Sequence, residues 1–378
     1  MEDKKLTIIF LGSAESIHML KWAEFFSKRG HEVHLISYAS LLDGYDLGNI
    51  KIHFIKKIFP INTWPFNTIL NMPFILTKVK RLTRDIRPDF INAHYVTSYG
   101  SLAALLNFHP LVITAWGSDI LVTPKKFLPS KWAVKYDLSK ADLVTCDANH
   151  MREAMIELGV KDSKIRIINF GIDTKKFSPG VKDKKLKEKL GLANSKIVIS
   201  LRNLDPIYDI GTFIKSVPLV LKEIPETQFI IIGKGPQEQE LRVLSETLGL
   251  KNKIKFLGQI PNNKLPEYLR ISDVYVSTSL SDGGIAASTA EAMACGLPII
   301  ITDVADNKDW VKDNKNGFLI QPKNVAILAG KITCLLKNKN IGKKFGEENR
   351  KIIEEKNDYY KEMTKMEEIY RELIITKR

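Results

Sequence analysis

Short apolar runs alternate with amphipathic stretches along nearly the whole chain, and that alternation permits few folds. Leu6–Leu11, Glu32–Ser37, Ile50–Ile55, Pro88–His94, Pro110–Ala115, Ala141–Thr145 and Lys164–Ile168 have the length and β-branched content of buried strands. The first is followed by a Gly12-Ser13 turn and by Ser16–Arg29, which keeps Ile17, Leu20, Trp22, Ala23, Phe25 and Phe26 on or near one helical face and ends at Gly30. Pro179-Gly180 and the charged segment Val181–Lys189 interrupt the pattern. It then restarts with Lys196–Leu201, the helical Ile210–Glu223, Gln228–Ile232, Lys255–Ile260, Ile271–Val276 and Leu297–Ile301. Asn324–Leu336 and Asn340–Arg378 read as helices. Strand and helix in strict turn imply parallel sheets covered by helices, here in two α/β domains over residues 1–180 and 181–355 with a helical tail at 356–378.

Composition narrows the class. With 44% hydrophobic and 26% charged residues over 378 positions, the chain is expected to be globular and large enough for two cores. No apolar run reaches the ~20 residues of a membrane span. The apolar run before Gly12 is too short for a signal sequence and has no cleavage site. Cys146, Cys295 and Cys334 form no paired spacing and no CxxC, so a reducing cytoplasm and no structural metal are expected. The net charge of +14, from 57 basic and 43 acidic residues, fits nucleic acid, an anionic membrane or phosphorylated ligands, and equally a mere compositional bias toward lysine. No nucleic-acid motif is present. Residues 64–87 place aromatic and aliphatic side chains before Lys78, Lys80, Arg81, Arg84 and Arg87; this suits a helix lying on anionic lipid, and equally one with an apolar core face and a solvated basic face.

The stretch from Ser279 to Thr302 carries the chemistry. Val274–Ser277 reads as a buried strand, Gly283-Gly284 as a loop, and Ser288–Ala294 as a helix with Gly296 at its C′ position. Strand, glycine loop and helix N-terminus direct backbone N–H groups and the helix dipole at one spot, an anion site. Asp282 and Glu291 add carboxylates suited to sugar hydroxyls, so the stretch suggests a nucleotide-sugar pocket. Ser288-x-x-Glu291 also fits a capping box, in which Glu291 would only start the helix. The Gly12-Ser13 turn lies at a strand's C-terminal end, where such sheets bind ligands, but it is no G-x-G-x-x-G, which weighs against a nicotinamide cofactor. His94, ending its strand beside Tyr95 and Tyr99, reads as a ligand contact.

Glu291-Ala-Met-Ala-Cys-Gly-Leu-Pro298 resembles the second half of the E-x7-E signature of retaining glycosyltransferases of family 4, of GT-B fold. Gly283 stands where the first glutamate belongs, with Asp282 one place earlier. Asn169-Phe-Gly-Ile-Asp173 with Phe177-Ser-Pro179, Gly233-Lys-Gly-Pro236, and Ile17-His18 with Trp22-Ala23 also resemble family segments. Arg202 matches the arginine that holds the donor diphosphate, but Pro206-Ile-Tyr208 occupies the turn of the family's lysine, leaving Lys234 to assist. Trp116-Gly-Ser-Asp119 replaces an H-G-x-D pattern, so Trp116 is a wall for a sugar face or core bulk, and Asp303–Trp310 replaces G-G-x-P-E. His18 is either a site residue or a helix-start residue without a role.

The resemblance implies two Rossmann-like domains facing across a cleft, the last helix returning to the first domain, and sugar transfer from a nucleotide-diphosphate sugar with retention and without metal or other cofactor; no DxD motif is present. Arg202, Asp282 and Glu291 would be catalytic. Donor binding would fall to these with Gly12, Ser13, Lys234, Phe256, Ile260, Gly283, Gly284, Ile285, Ser288 and Thr289. His94, Tyr95, Trp116 and Asp119 would line the acceptor side. Expected partners are the donor and a glycan or lipid-linked acceptor, at the inner face of the cell membrane. A GT-B-shaped nucleotide-sugar 2-epimerase and a non-catalytic sugar-nucleotide binding subunit are the alternatives.

Overall fold

The computed structural model describes residues 4–56, 66–126, 128–282 and 284–377. The chain divides into two compact units, Met1–Phe170 with Lys361–Arg378, and Gly171–Tyr360.

The first unit holds a seven-stranded parallel sheet of β1 (Thr7–Leu11), β2 (Glu32–Ser37), β3 (Lys51–Phe54), β4 (Phe90–His94), β5 (Leu111–Thr114), β6 (Leu143–Cys146) and β7 (Ile165–Ile167), in the order β3-β2-β1-β4-β5-β6-β7. β1 pairs with β2 on one side and β4 on the other, Leu11 lying opposite Ile36 and Ala93. Strand order reverses there, and the loops leaving β1 and β4 at such a point line a crevice. Ile8, Ile9, Phe10 and Leu11 are fully buried, since helices cover both faces of a parallel sheet and leave no polar side to alternate with.

The second unit holds β8 (Lys196–Leu201), β9 (Thr227–Ile232), β10 (Ile254–Phe256), β11 (Val274–Ser277), β12 (Ile299–Thr302) and β13 (Gly317–Ile320), all parallel, in the order β10-β9-β8-β11-β12-β13. Its order reverses between β8 and β11, so Arg202 and the stretch from Thr278 leave neighbouring strand ends. Strand β13 is not among the runs expected from the sequence.

Two boundaries differ from expectation. The first unit ends at Phe170 rather than 180 because Arg350 and Arg270 tie the following residues into the second unit. The Arg350 guanidinium donates to the carbonyls of Thr174, Phe177 and Ala294, and Arg270 to those of Lys176 and Ser178. The helix expected over Asn340–Arg378 is broken into Lys339–Lys356 and Tyr359–Lys377. At the break, the Ile172 N–H donates to the Asn357 carbonyl at 2.7 Å and the Tyr359 N–H to the Ile172 carbonyl at 3.0 Å, an exchange a continuous helix would forbid. Beyond it, the last helix packs into the first unit. Tyr370 is fully buried against Phe90 and Phe26, and its hydroxyl donates to Asn92 Oδ1 at 2.5 Å.

Candidate active site

In the second unit, Arg202 leaves β8 and Asp282 lies beyond the end of β11. Nη2 of Arg202 meets Oδ1 of Asp282 at 2.5 Å, with both side chains 7% exposed. The Tyr208 ring lies 4.2 Å under the guanidinium carbon. Tyr208 thus occupies, as a cation–π partner, the turn in which the family resemblance places a second cation. The turn is held by the Thr278 hydroxyl, which donates to the carbonyls of Tyr208 and Asp209, and by the Leu280 N–H, which donates to Ile207. Burial raises the Asp282 carboxyl above its ordinary value, while the Arg202 cation pulls it down.

The helix after the glycine loop runs Ala287–Ala294, with Ala286 as N-cap and no side-chain cap. Ser288 therefore lies inside the helix, and the capping-box reading fails. The Ser288 and Thr289 hydroxyls lie 3.0 and 3.1 Å from the Tyr275 hydroxyl beneath the helix. A ligand at this end would meet the backbone N–H groups of the first turn, which an α-helix leaves without intrahelical acceptors. Gly284 has φ +134°, a conformation that only glycine adopts readily, and Ile285 is buried beside it. Gly283 lies outside the described residues. Glu291, 8% exposed, accepts a hydrogen bond from Asn262 Nδ2 at 2.9 Å, and Asn262 Oδ1 accepts one from Lys176 Nζ at 2.5 Å. Asn262 and Lys176 carry no local pattern that would have marked them.

Lys234 is placed by its flanking glycines. A Cβ on Gly233, whose φ is +149°, would stand 2.1 Å from the Arg202 carbonyl oxygen, and one on Gly235 2.4 Å from the Leu204 carbonyl carbon. The loop after β9 is thus laid against the backbone of residues 202–204, and the Leu204 N–H donates to the Lys234 carbonyl at 2.9 Å. Phe256 stacks under Arg242, 4.7 Å from its guanidinium carbon, and Ile260 is half-buried.

In the first unit, Gly12 follows β1 and donates its N–H to the Ile36 carbonyl, while the Ser13 hydroxyl accepts from the Glu15 N–H. His94, Trp116, Trp22 and His18 form an aromatic cluster: Trp22 is 5.0 Å edge-on to His94, and Trp116 lies 5.7 Å from His94 and 5.3 Å from His18. His94 is 3% exposed; its Nε2 pairs with Asn92 Oδ1 at 3.2 Å and its Nδ1 has no hydrogen-bond partner among the described residues. Burial lowers its pKa to about 3, so the ring is neutral at ordinary pH. Trp22 and Trp116 pack on the imidazole, so the ring that the sequence places on the acceptor side is enclosed here rather than open. Burial also lowers the pKa of His18.

Asp119 is fully buried and accepts from the Val96 N–H at 2.8 Å and the Trp116 N–H at 3.1 Å, bracing the loops after β4 and β5 against each other. Its carboxylate faces backbone, and burial raises its pKa. Tyr95 has φ +79°, precedes a π-helical turn over Val96–Gly100, and lies 2.9 Å from the Ser118 hydroxyl. Strain of this kind persists only where surrounding contacts enforce it.

The segment expected on lipid divides. Residues 57–65 lie outside the described residues. In the helix Phe66–Ile86, Ile75 and Val79 are buried in the first unit's core, with Met72, Leu76, Leu82 and Ile86 packed against it. The described part of this helix therefore has a core face and an exposed basic face. No helix among the described residues is long and apolar enough to cross a membrane.

The profile of glycosyl transferases group 1 matches residues 182–352, and that of glycosyl transferase 4-like proteins residues 7–148. The chain is 27% identical over 324 residues to the UDP-Gal:alpha-D-GlcNAc-diphosphoundecaprenol alpha-1,3-galactosyltransferase of Escherichia coli, covering 82% of this chain and 81% of that protein. It is 24% identical over 288 residues to the GDP-mannose-dependent alpha-(1-6)-phosphatidylinositol monomannoside mannosyltransferase of Mycolicibacterium smegmatis, covering 72% and 73%. Among solved structures, Anabaena Alr3699/HepE in complex with UDP superposes with a TM-score of 0.81 at 22% identity, covering 97% of this chain and all of that one. Profiles matched across both sheets, relatives aligned over most of their length, and the shared two-sheet architecture agree: the chain belongs to the group 1 (family 4) glycosyltransferases of GT-B fold.

Proposed function

We propose that the protein transfers a sugar, with retention of anomeric configuration, from a nucleotide-diphosphate sugar to a glycan or lipid-linked acceptor in surface polysaccharide or glycolipid synthesis. The observation that carries this reading is the Arg202–Asp282 pair, set at neighbouring strand ends beside a helix N-terminus that no side chain caps. Breaking the bond from C1 of the sugar to the diphosphate builds negative charge on the leaving group and positive charge on the ring. A buried guanidinium and oriented backbone N–H groups stabilise the first without reorganising as the bond breaks. No metal ion is required for that part of the work. The acceptor hydroxyl forms its bond to C1 from the face the diphosphate leaves, and its proton passes to the departing phosphate oxygen.

Glu291, held by Asn262, is assigned to the ribose hydroxyls, and Asp282 to the donor sugar. UDP-galactose and GDP-mannose in the names of two relatives, and UDP in a related structure, support a nucleotide-sugar donor while leaving its base open. The test is incubation with UDP-, GDP- and ADP-sugars and a lipid-linked acceptor. Glycoside plus free nucleotide is the expected product; an epimerised donor, or binding without turnover, would replace this reading with one of the alternatives.

A further inference from the structure

Strand β11 lies between β8 and β12, and its Tyr275 stands opposite Ile199 on one side and Ile299 on the other. The residues before and after it, Val274 and Val276, point to the other face of the sheet and belong to the apolar core of the second unit. Tyr275 is fully buried. A phenylalanine would fill that space as well, and a buried hydroxyl is unfavourable unless it is hydrogen-bonded. Its two partners, Ser288 Oγ at 3.0 Å and Thr289 Oγ1 at 3.1 Å, both stand on the first turn of helix Ala287–Ala294. That turn has no capping side chain. A cap would hold the turn by occupying its N–H groups; Tyr275 holds it through side chains and leaves those groups open to a ligand.

Three hydroxyls joined by two hydrogen bonds leave one proton unshared, and burial decides which. Tyr275 and Thr289, the latter 2% exposed, have no other side-chain partner among the described residues, whereas Ser288, second in the helix, is half-buried. If Tyr275 gave its proton to Thr289, the buried Thr289 proton would have no acceptor. If Tyr275 accepted from both, its own proton would have none. One order leaves no buried proton unpaired: Thr289 donates to Tyr275, Tyr275 donates to Ser288, and Ser288 keeps a free O–H. Burial raises the Tyr275 pKa while the Arg202 cation lowers it, so the phenol keeps its proton and its oxygen stands in the field of the guanidinium. On the transferase reading, we infer that Thr289, Tyr275 and Ser288 form a one-way hydroxyl relay that aims the Ser288 O–H at the diphosphate of the donor, Tyr275 being the positioning residue. No proton changes oxygen along the relay. Each bond polarises the next, so the last O–H donates more strongly as negative charge grows on the leaving diphosphate.

Calorimetric titration with UDP, GDP and ADP, beside kinetics of sugar transfer, provides the test. Tyr275→Phe should weaken whichever diphosphate binds wild type by about tenfold and lower kcat by a similar factor, with donor KM within about twofold. Ser288→Ala should do at least as much. Adding Tyr275→Phe to Ser288→Ala should change neither quantity further, because the relay then has no end. Thr289→Val removes only the first donor; it should lower affinity and kcat by about threefold, and by nothing once Ser288 is replaced. This variant decides the matter if Tyr275→Phe does not fold. A lower melting temperature in Tyr275→Phe with wild-type affinity and kcat would make the hydroxyl a packing group and overturn the inference. So would effects of Tyr275→Phe and Ser288→Ala that multiply. Diphosphate binding without transfer by wild type would count against the transferase reading alone, the affinities still deciding the relay. Binding of none of the three would end both.

Discussion

The guanidinium of Arg202 and the carboxylate of Asp282 meet at 2.5 Å with both side chains nearly closed to solvent and the Tyr208 ring against the cation. Neither group is tolerable alone at that depth, so the pair is structural as well as chemical.

The two roles separate by mutation. Arg202→Ala should lower turnover by roughly 10²–10³-fold, as loss of one preorganised donor does. It should also destabilise by about 3–5 kcal/mol by leaving a buried carboxylate without its counterion. Adding Asp282→Asn should restore much of the stability and none of the rate, as read by urea unfolding beside a transfer assay. Recovery of rate in the double variant would limit the guanidinium to folding.

Glu291→Ala should abolish the thermal shift produced by the matching nucleotide sugar, because specific binding raises apparent stability according to ligand concentration over Kd. Asn262→Ala removes the amide that holds Glu291 and should weaken binding about tenfold, the value of one hydrogen bond to a charged group. An intact shift in Glu291→Ala would leave the residue only a structural part in its helix.

Two glycines should respond in opposite directions. Gly233→Ala brings a methyl group against the Arg202 carbonyl oxygen at a φ of +149° and should cost about 3 kcal/mol or more. Gly330 lies within the helix Val325–Lys337 with nothing within 4 Å of a Cβ, so Gly330→Ala should stabilise by about 0.5–1 kcal/mol. Thermal unfolding of the two variants beside wild type reads both signs.

Acid and base act on the first unit through different groups. His94 titrates near 3 when folded and near 6.5 when unfolded, so the unfolded chain binds more protons between those values. Stability from this group is complete above pH 6.5 and declines as pH falls toward 3. Burial raises Asp137 to about 7 from 3.8, so the folded state binds more protons between those values and stability declines as pH rises through them. Unfolding free energies measured from pH 4 to 8 should lose the first slope in His94→Phe and the second in Asp137→Asn.

Most strands were legible because buried parallel strands are written as unbroken apolar runs, and the family because the motif from Glu291 to Pro298 is contiguous. Asn262 was not, since the sheet brings it to Glu291 and no local spacing records that approach. The interruption at Asn357 was hidden for a related reason: a Lys- and Glu-rich run favours helix, and only the distant Ile172 backbone competes for its hydrogen bonds. His94 stood out at its strand end and Asp119 in the Trp116–Asp119 segment beyond β5, yet sequence could not tell a side chain open to a ligand from one enclosed by Trp22 and Trp116 or by backbone N–H groups.

Tyr370, on the helix Tyr359–Lys377, covers Phe90 and Phe26 and donates to Asn92, so the first unit is finished by residues made after the whole of the second. During synthesis, residues up to Phe170 emerge with that aromatic surface bare, and all of Gly171–Tyr360 follows before the covering helix exists. The unit begun first therefore closes second, and a ribosome stalled anywhere in the second sheet holds a first sheet whose seven strands are all made while its aromatic surface at Phe90 and Phe26 is still open to chaperones.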